Sequence, residues 1–300
     1  MRGIVHMICS HNEWSPLKEV ILGSSIGFEF PYDDEVFSKA AAKMGLKSGP
    51  IDNKVIEETE EGLSRFESIL TQFDVNVHRI NGSYCPRDVC LIIGEKIIMS
   101  PTVWPYRRKE WDLVDEVVSC VSPYQKVYIP EDKRVMFDAA NVIRCNYDII
   151  YLVGYAGNLR GAKWLKELLG HEYNIHLVHA DTYAGMHLDT TIIPLREGLV
   201  MLNAERVTDD TIPTFMKSWD KIWVHPNDLF DFQEGNYGSR SIHMNLFSIN
   251  EHVCLIDPDQ TFIRAELEKH HIMTKEVKLP HGKKLGGAHH CTTLDLLRTS

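Results

Sequence analysis

Val89-Cys90-Leu91-Ile92-Ile93-Gly94-Glu95-Lys96-Ile97-Ile98-Met99-Ser100 consists of two apolar runs around the polar turn Gly94-Glu95-Lys96. β-Branched runs bounded by turn residues are strand signals, so the stretch reads as a β-hairpin. The pattern returns at residues 141–154 around Cys145-Asn146-Tyr147-Asp148, at 190–203 around Arg196-Glu197-Gly198, and at 244–257 around Asn250-Glu251-His252. Each hairpin precedes a helical pattern and a short strand: 109–121 then 126–129, 158–169 then 174–179, 209–218 then 221–224, and 260–270 then 274–279. Hairpins starting at 89, 141, 190 and 244 set a unit of about 50 residues, within the range of internal repeats.

A fifth unit can be assembled from the two ends of the chain. Residues 292–297 supply one strand, 17–23 its partner, 53–73 a helix and 75–80 the closing strand. A chain that completes its first unit with its last strand closes a ring. The expected architecture is therefore α/β: a five-bladed α/β propeller of pseudo-symmetric ββαβ units around a central site, with residues 1–300 as a single domain. Residues 27–52, rich in Gly, Pro, Ser and Asp, read as a mobile loop.

The 300 residues are 44% apolar and 25% charged, the balance of a soluble globular protein. A net charge of -10 argues against a nucleic-acid surface, which needs clustered Lys and Arg. The short run Arg107-Arg108-Lys109 reads as a solvated helix face. No apolar run approaches the length of a membrane-spanning helix. The first residues, interrupted by His6, Ser10, His11 and Asn12, lack the apolar stretch of a signal peptide. Seven cysteines, odd in number and scattered without a CxxC pair, read as reduced thiols in a cytoplasmic protein. His289, His290 and Cys291 have no second ligand pair at zinc-like spacing, so neither a metal nor another cofactor is expected.

Cys291 closes the run Leu285-Gly286-Gly287-Ala288-His289-His290-Cys291. Alone, the run fits a reactive thiol, whose thiolate a nearby imidazole favours, and equally a buried structural cysteine. Position in the repeat separates the two readings. Asp88 precedes Val89, Asp138 stands three residues before Asn141, and His187 and Asp189 precede Thr190. Ser239 and His243 precede Met244, and Cys291 precedes Thr292. A single Asp beside a strand is ordinarily a turn or cap residue. Polar positions repeated in register around a ring instead converge on one cavity.

Three carboxylates, an imidazole and a thiol in that cavity make an acidic pocket. Carboxylates bind a planar guanidinium through paired, charge-assisted hydrogen bonds. Sulfur attack on the guanidinium carbon would give a covalent intermediate, and a positioned histidine would supply the leaving amine's proton. His187 suits that task, with Asp138 in register to fix its tautomer. Neighbours in an extended chain alternate sides, so His290 should point away from the thiol as a support, while His289 could line the rim.

Pro86-Arg87-Asp88, Phe137-Asp138-Ala139-Ala140-Asn141, Met186-His187-Leu188-Asp189-Thr190, the run ending at Cys291, and the opening Asn12-Glu13-Trp14-Ser15-Pro16-Leu17-Lys18-Glu19-Val20 together resemble the amidinotransferases. The likeness is strongest to the branch with the arginine:glycine and arginine:inosamine-phosphate enzymes and runs to Arg298. It implies a ping-pong transfer of the amidino group of L-arginine to an amine acceptor with release of ornithine, small-molecule partners, and a homodimer as in many relatives. It also implies roles: Cys291 as nucleophile, His187 as general acid and base, Asp138 as its partner, and Asp88 and Asp189 as holders of the guanidinium. Arg206 would bind the donor's α-carboxylate, and Ser239 and Met186 would contact substrate.

Two departures bear on the acceptor and the thiol. Gly286-Gly287-Ala288-His289 stands where relatives often carry three glycines and an aromatic residue. Asp181-Thr182-Tyr183-Ala184-Gly185 replaces an acceptor-selecting segment, and its small residues leave room for an acceptor larger than glycine. The same thiol intermediate would serve a hydrolase of the arginine deiminase or dihydrolase kind. A third alternative is a non-catalytic arginine-binding module.

Overall fold

The computed structural model describes residues 7–30, 48–179, 187–230, 239 and 241–299. Strands Cys90–Ile93 and Lys96–Met99 pair antiparallel from Cys90↔Met99 to Ile93↔Lys96. After the helix Glu110–Val121, the strand Val127–Tyr128 returns parallel to the second of them. Gly94 turns the hairpin with a φ of 54°, and Asn146 (61°) and Gly198 (82°) do the same in the next two. Tight hairpin turns use this left-handed region, which Gly and Asn enter at least cost.

Taking that sheet as blade two, blade three is Val142–Cys145, Asp148–Val153 and Asn174–His179, with helix Leu159–Leu169. Blade four is Ile192–Arg196, Leu199–Asn203 and Asp220–Val224. Blade five is Phe247–Asn250, Val253–Ile256 and Met273–Glu276, with helix Thr261–Lys269. Blade one joins the two ends of the chain. Leu17–Leu22 pairs antiparallel with Thr293–Arg298 and parallel with Asn76–Arg79, which follows helix Asn53–Gln72. Asp52 and Asn158 cap their helices by accepting from Lys54 N and Gly161 N, satisfying donors that a helix start leaves open.

The fold is a five-bladed α/β propeller, and the packing shows why its strands read as unbroken apolar runs. Strand side chains alternate faces. In blade two, Cys90 and Ile92 join a cluster with Ile21 and Leu294 of blade one, while Leu91 and Ile93 join one with Val142 and Ile149 of blade three. Similar clusters lie between blades three and four, four and five, and five and one. Each sheet is therefore buried on both faces, as parallel sheets in α/β proteins are, and the apolar layers run around the ring.

Three expectations shift. The helix foreseen at 209–218 is a turn followed by the short 3-10 helix Thr214–Ser218. Pro213 lacks an N–H and disfavours the α conformation in the residue before it. In the foreseen loop 27–52, strands Glu29–Phe30 and Gly49–Pro50 pair antiparallel, and residues 31–47 lie outside the described part. The closing strand of blade five is Met273–Glu276, displaced toward the helix from the foreseen 274–279.

The axis of the ring is charged. Glu13 takes both its oxygens to Arg144 at 2.7 Å, and Arg144 and Arg298 each donate to Asp295 Oδ2 at 2.7 Å. Arg87 donates to the other Asp295 oxygen. All five side chains are buried, so each charge depends on its partners, and deleting one would strand the rest. Among the described residues, no helix is long and apolar enough to cross a membrane.

Candidate active site

Single 3-10 turns head blades two to five: Pro86–Asp88, Ala139–Asn141, Leu188–Thr190 and Ile242–Met244. Each touches the next, and the first also touches Thr293–Arg298. This inner circle brings Asp88, Asp138, His187, Asp189 and Cys291 together at one end of the axis. The foreseen register is real, and its physical basis is a repeated turn that delivers each first strand to the centre.

Cys291 Sγ donates to Asp189 Oδ2 at 3.2 Å, and the side chains of His187 and Cys85 also act on the thiol. Its backbone N donates to Asn245 Oδ1 at 3.0 Å, and Asn245 Nδ2 reaches Asp189 O at 3.4 Å. Asn245 thereby ties the thiol's segment to the turn that carries Asp189. His187 Nε2 donates to Asp138 Oδ2 at 2.9 Å, and its Nδ1 lies 3.5 Å from Asp88 Oδ1. Asp138 is fixed in turn by Thr102 Oγ1 at 2.6 Å and Val103 N at 3.0 Å, both donating to Oδ1.

Asp88 Oδ2 accepts from Arg107. The rest of the Arg107 fork goes to Glu110, at 2.6 and 2.9 Å, and to Cys85 O at 2.8 Å. Asp189 Oδ2 accepts from His290 Nδ1 at 2.9 Å as well as from the thiol. The remaining oxygen of each carboxylate, Asp88 Oδ1 and Asp189 Oδ1, is buried with no hydrogen-bond partner. Leaving a buried acceptor open costs about 1–3 kcal/mol, more for a charged group, so these two oxygens mark where a ligand's donors belong.

The charges follow from these contacts. Burial alone would pull His187 down, but the charge of Asp88 and the hydrogen bond to Asp138 hold it well above the ordinary imidazole range, so it is charged at neutral pH. The Cys291 thiol goes the other way. The neighbouring Cys85, burial and the nearby Asp189 push it well above the usual thiol value, against the pull of His187. His187 favours the thiolate, as expected of a nearby imidazole, but the other influences outweigh it.

Gly287 explains part of the glycine run. A Cβ there would lie 2.3 Å from Cys85 Sγ and 2.8 Å from Cys291 Cβ, so no side chain fits between the two cysteines. Gly286 turns the chain with a φ of 87°. A small pocket of about 20 Å³ has Cys85, Asp88, Arg107 and His187 on its polar side and Phe28, Trp104 and Tyr106 on its apolar side.

The other foreseen residues fall as follows. Arg206 donates to Thr190 Oγ1 at 2.8 Å, Thr191 Oγ1 at 3.0 Å and Ser239 Oγ at 2.6 Å, so Arg206 and Ser239 form one unit. Met186 lies outside the described residues. His289 does not line a rim: it is buried, stacks edge-on against Phe66 and bonds to Val277 O at 2.8 Å. His290 makes no bond to the thiol and instead spans Asp189 and Glu13. Arg107 is not a solvated charge, because Asp88 and Glu110 draw it into the interior. Among the described residues, no group of three or more His, Cys, Asp or Glu is placed to hold a metal ion.

Across 98% of its length the chain is 34% identical to inosamine-phosphate amidinotransferase 1 of Streptomyces glaucescens, covering 97% of that protein. The chain belongs to the amidinotransferase family. No protein-family model matches it. The solved inosamine-phosphate amidinotransferase of Streptomyces griseus superposes on this amidinotransferase with a TM-score of 0.88 at 32% identity, covering 98% of this chain and 97% of that one. The L-arginine:L-lysine amidinotransferase of Pseudomonas savastanoi pv. phaseolicola is 25% identical over 97% of this chain and 94% of its own. A dimethylarginine dimethylaminohydrolase, 15% identical, shares the fold alone, with a TM-score of 0.68 over 93% of this chain and 99% of that one.

Proposed function

We propose that this amidinotransferase moves the amidino group of L-arginine onto Cys291 and then to an amine acceptor, releasing ornithine. The observation that carries the reading is the pair of buried carboxylates, each with one oxygen that accepts no hydrogen bond, beside the Cys291 thiol and His187. In this reading the guanidinium meets Asp88 and Asp189 through those oxygens, and its charge favours the Cys291 thiolate against burial and the nearby Asp189. As the guanidinium binds, the thiol gives up its proton to solvent, and the thiolate sulfur attacks the guanidinium carbon. The bond from that carbon to the δ-nitrogen then breaks, and His187 gives that nitrogen its Nδ1 proton. Ornithine departs and the amidino group stays on sulfur. A neutral acceptor amine attacks the same carbon, His187 takes a proton from it, and the carbon–sulfur bond breaks to release the thiolate, which regains its proton from solvent.

Asp138, braced by Thr102 and Val103, holds the His187 ring for both proton transfers. Arg206, steadied by Ser239, binds the donor's α-carboxylate, and Met186, which precedes His187 in the sequence, is a further substrate-contacting residue in this reading. Arginine as donor is supported by the name of the Pseudomonas relative, and transfer over hydrolysis by family membership. The reading takes residues 1–300 as one catalytic domain acting on small molecules in the cytoplasm. Intact-mass spectrometry of the protein given arginine alone tests it. The expected result is a gain of one amidino group, absent in Cys291→Ser. An unchanged mass under single-turnover conditions would contradict it.

A further inference from the structure

Asp88 and Asp189 stand on different blades, yet they are built alike. In each, Oδ2 accepts from a buried side-chain donor and Oδ1 accepts no hydrogen bond, although that of Asp88 faces His187 Nδ1 at 3.5 Å. For Asp88 the donor is Arg107, and for Asp189 it is His290. Each donor is itself held by a glutamate: Arg107 by Glu110 through two bonds of 2.6 and 2.9 Å, and His290 by Glu13 at 3.3 Å. Each glutamate is anchored again, Glu110 by Ser83 and Glu13 by Arg144. Two chains of donor and glutamate therefore end on two carboxylates and decide which oxygen of each stays open. A carboxylate free to rotate could offer either oxygen to the thiol, to His187 or to a ligand. Clamped at Oδ2, it offers Oδ1.

We propose that Arg107 and His290 are positioning residues for amidine recognition: by holding Oδ2 of Asp88 and Asp189, they present the two Oδ1 atoms as the paired acceptors of the planar cation. This rests on the proposed guanidinium site and adds the residues that set its geometry. Neither touches the reacting atoms in this account. Each acts through its carboxylate.

The test compares alkylation of Cys291 by 2-chloroacetamidine, a planar cation, and by 2-chloroacetamide, its neutral analogue with the same leaving group. The readout is the ratio of the two inactivation rate constants, relative to that for free cysteine. The neutral reagent controls for folding and for access to the thiol. Wild type is expected to favour the amidine strongly. Arg107→Met and His290→Leu should each lower the ratio by about tenfold or more, the scale of one charge-assisted hydrogen bond. His290→Asn, which keeps a donor toward Asp189, should restore most of it, while Arg107→Lys, which loses the fork, should not.

A wild type without amidine preference would remove the guanidinium site itself. A wild type with the preference and variants that keep it would overturn the positioning roles and leave the site standing. Asp189 Oδ1 would then belong to the small internal hole bounded by Glu13, Asp189, Ser248 and His290. Should the Met or Leu variant fail to fold, the contrast between Arg107→Lys and His290→Asn decides: equal ratios, both at the wild-type level, contradict the proposal.

Discussion

Asp88 and Asp189 share a construction, but their carboxyl groups shift in opposite directions. Burial raises the Asp88 carboxyl, and the nearby Asp138 adds to it, more than His187 and Arg107 can reverse. Burial also opposes the charge on Asp189, yet the hydrogen bond and charge of His290, the charge of His187 and the bond from the thiol bring it down to about 2. Arg107 carries the stronger fixed charge, but Glu110 claims most of its fork. A buried carboxylate's ionisation is thus set less by its nearest donor than by how many other acceptors that donor serves. Asp189 is the firm negative charge of the site and Asp88 the compliant one.

The strongest blow to this picture is struck at the group both sides share. His187→Ala should reduce turnover by about 10² or more, the scale of lost acid–base catalysis, measured as ornithine release with arginine and a working acceptor. Near-normal turnover would take the proton transfers away from His187.

The contrast between the carboxylates is sharpened by the amides. At neutral pH, Asp189→Asn should raise the KM for arginine by about tenfold or more, as expected for a lost charge-assisted bond, and Asp88→Asn by less. The pH dependence carries the sign. Asp88, raised in the folded protein, takes up its proton first as pH falls, so the wild-type KM should climb on the acid side while Asp189 stays ionised until near its value of about 2. Asp88→Asn should lack that climb and Asp189→Asn should keep it. The reverse order would invert the comparison.

His187 adds a test through stability. Its folded pKa is raised, so the stability gained by pairing with Asp88 and Asp138 is complete below the unfolded value of about 6.5 and is lost as pH rises through the folded value. Thermal melts of wild type and His187→Gln should differ most in mild acid and converge in alkali. A gap that widens in alkali would contradict the assigned charge.

The smallest effect concerns the floor between the cysteines. Gly287→Ala should destabilise by about 1–3 kcal/mol, the usual range for overpacking. Cys85→Ala, which removes the sulfur that the new methyl group would strike, should recover much of it in the double variant. Chemical denaturation of the four proteins in the cycle would show whether the two changes couple.

The ring was legible because its signals are local. Both faces of every blade are apolar, so hairpins such as 89–100 stand out, and turn residues such as Asn146 mark where they fold back. The helix at 209–218 was misread because its polar periodicity outweighed the single Pro213. Asp88, Asp138, His187, Asp189 and Cys291 could be found because each stands just ahead of a first strand. Their supports could not be found this way. Arg107 sits in a basic triplet that looks solvated, although Glu110, three residues on, was a usable sign of pairing. Asn245 holds the pre-strand position of blade five, in a segment where Ser239 and His243 carry the more reactive side chains. The thiol's raised pKa depends on Cys85, far upstream in the chain, and no spacing rule reports a neighbour brought in by the ring.

The central claim, a covalent amidino-cysteine waiting for an amine, is tested most directly by mixing the protein with excess arginine and no acceptor and counting products per chain. The account predicts a burst of one ornithine per active chain that then stops, and resumes when an accepted amine is added. Continuous formation of citrulline and ammonia would contradict it.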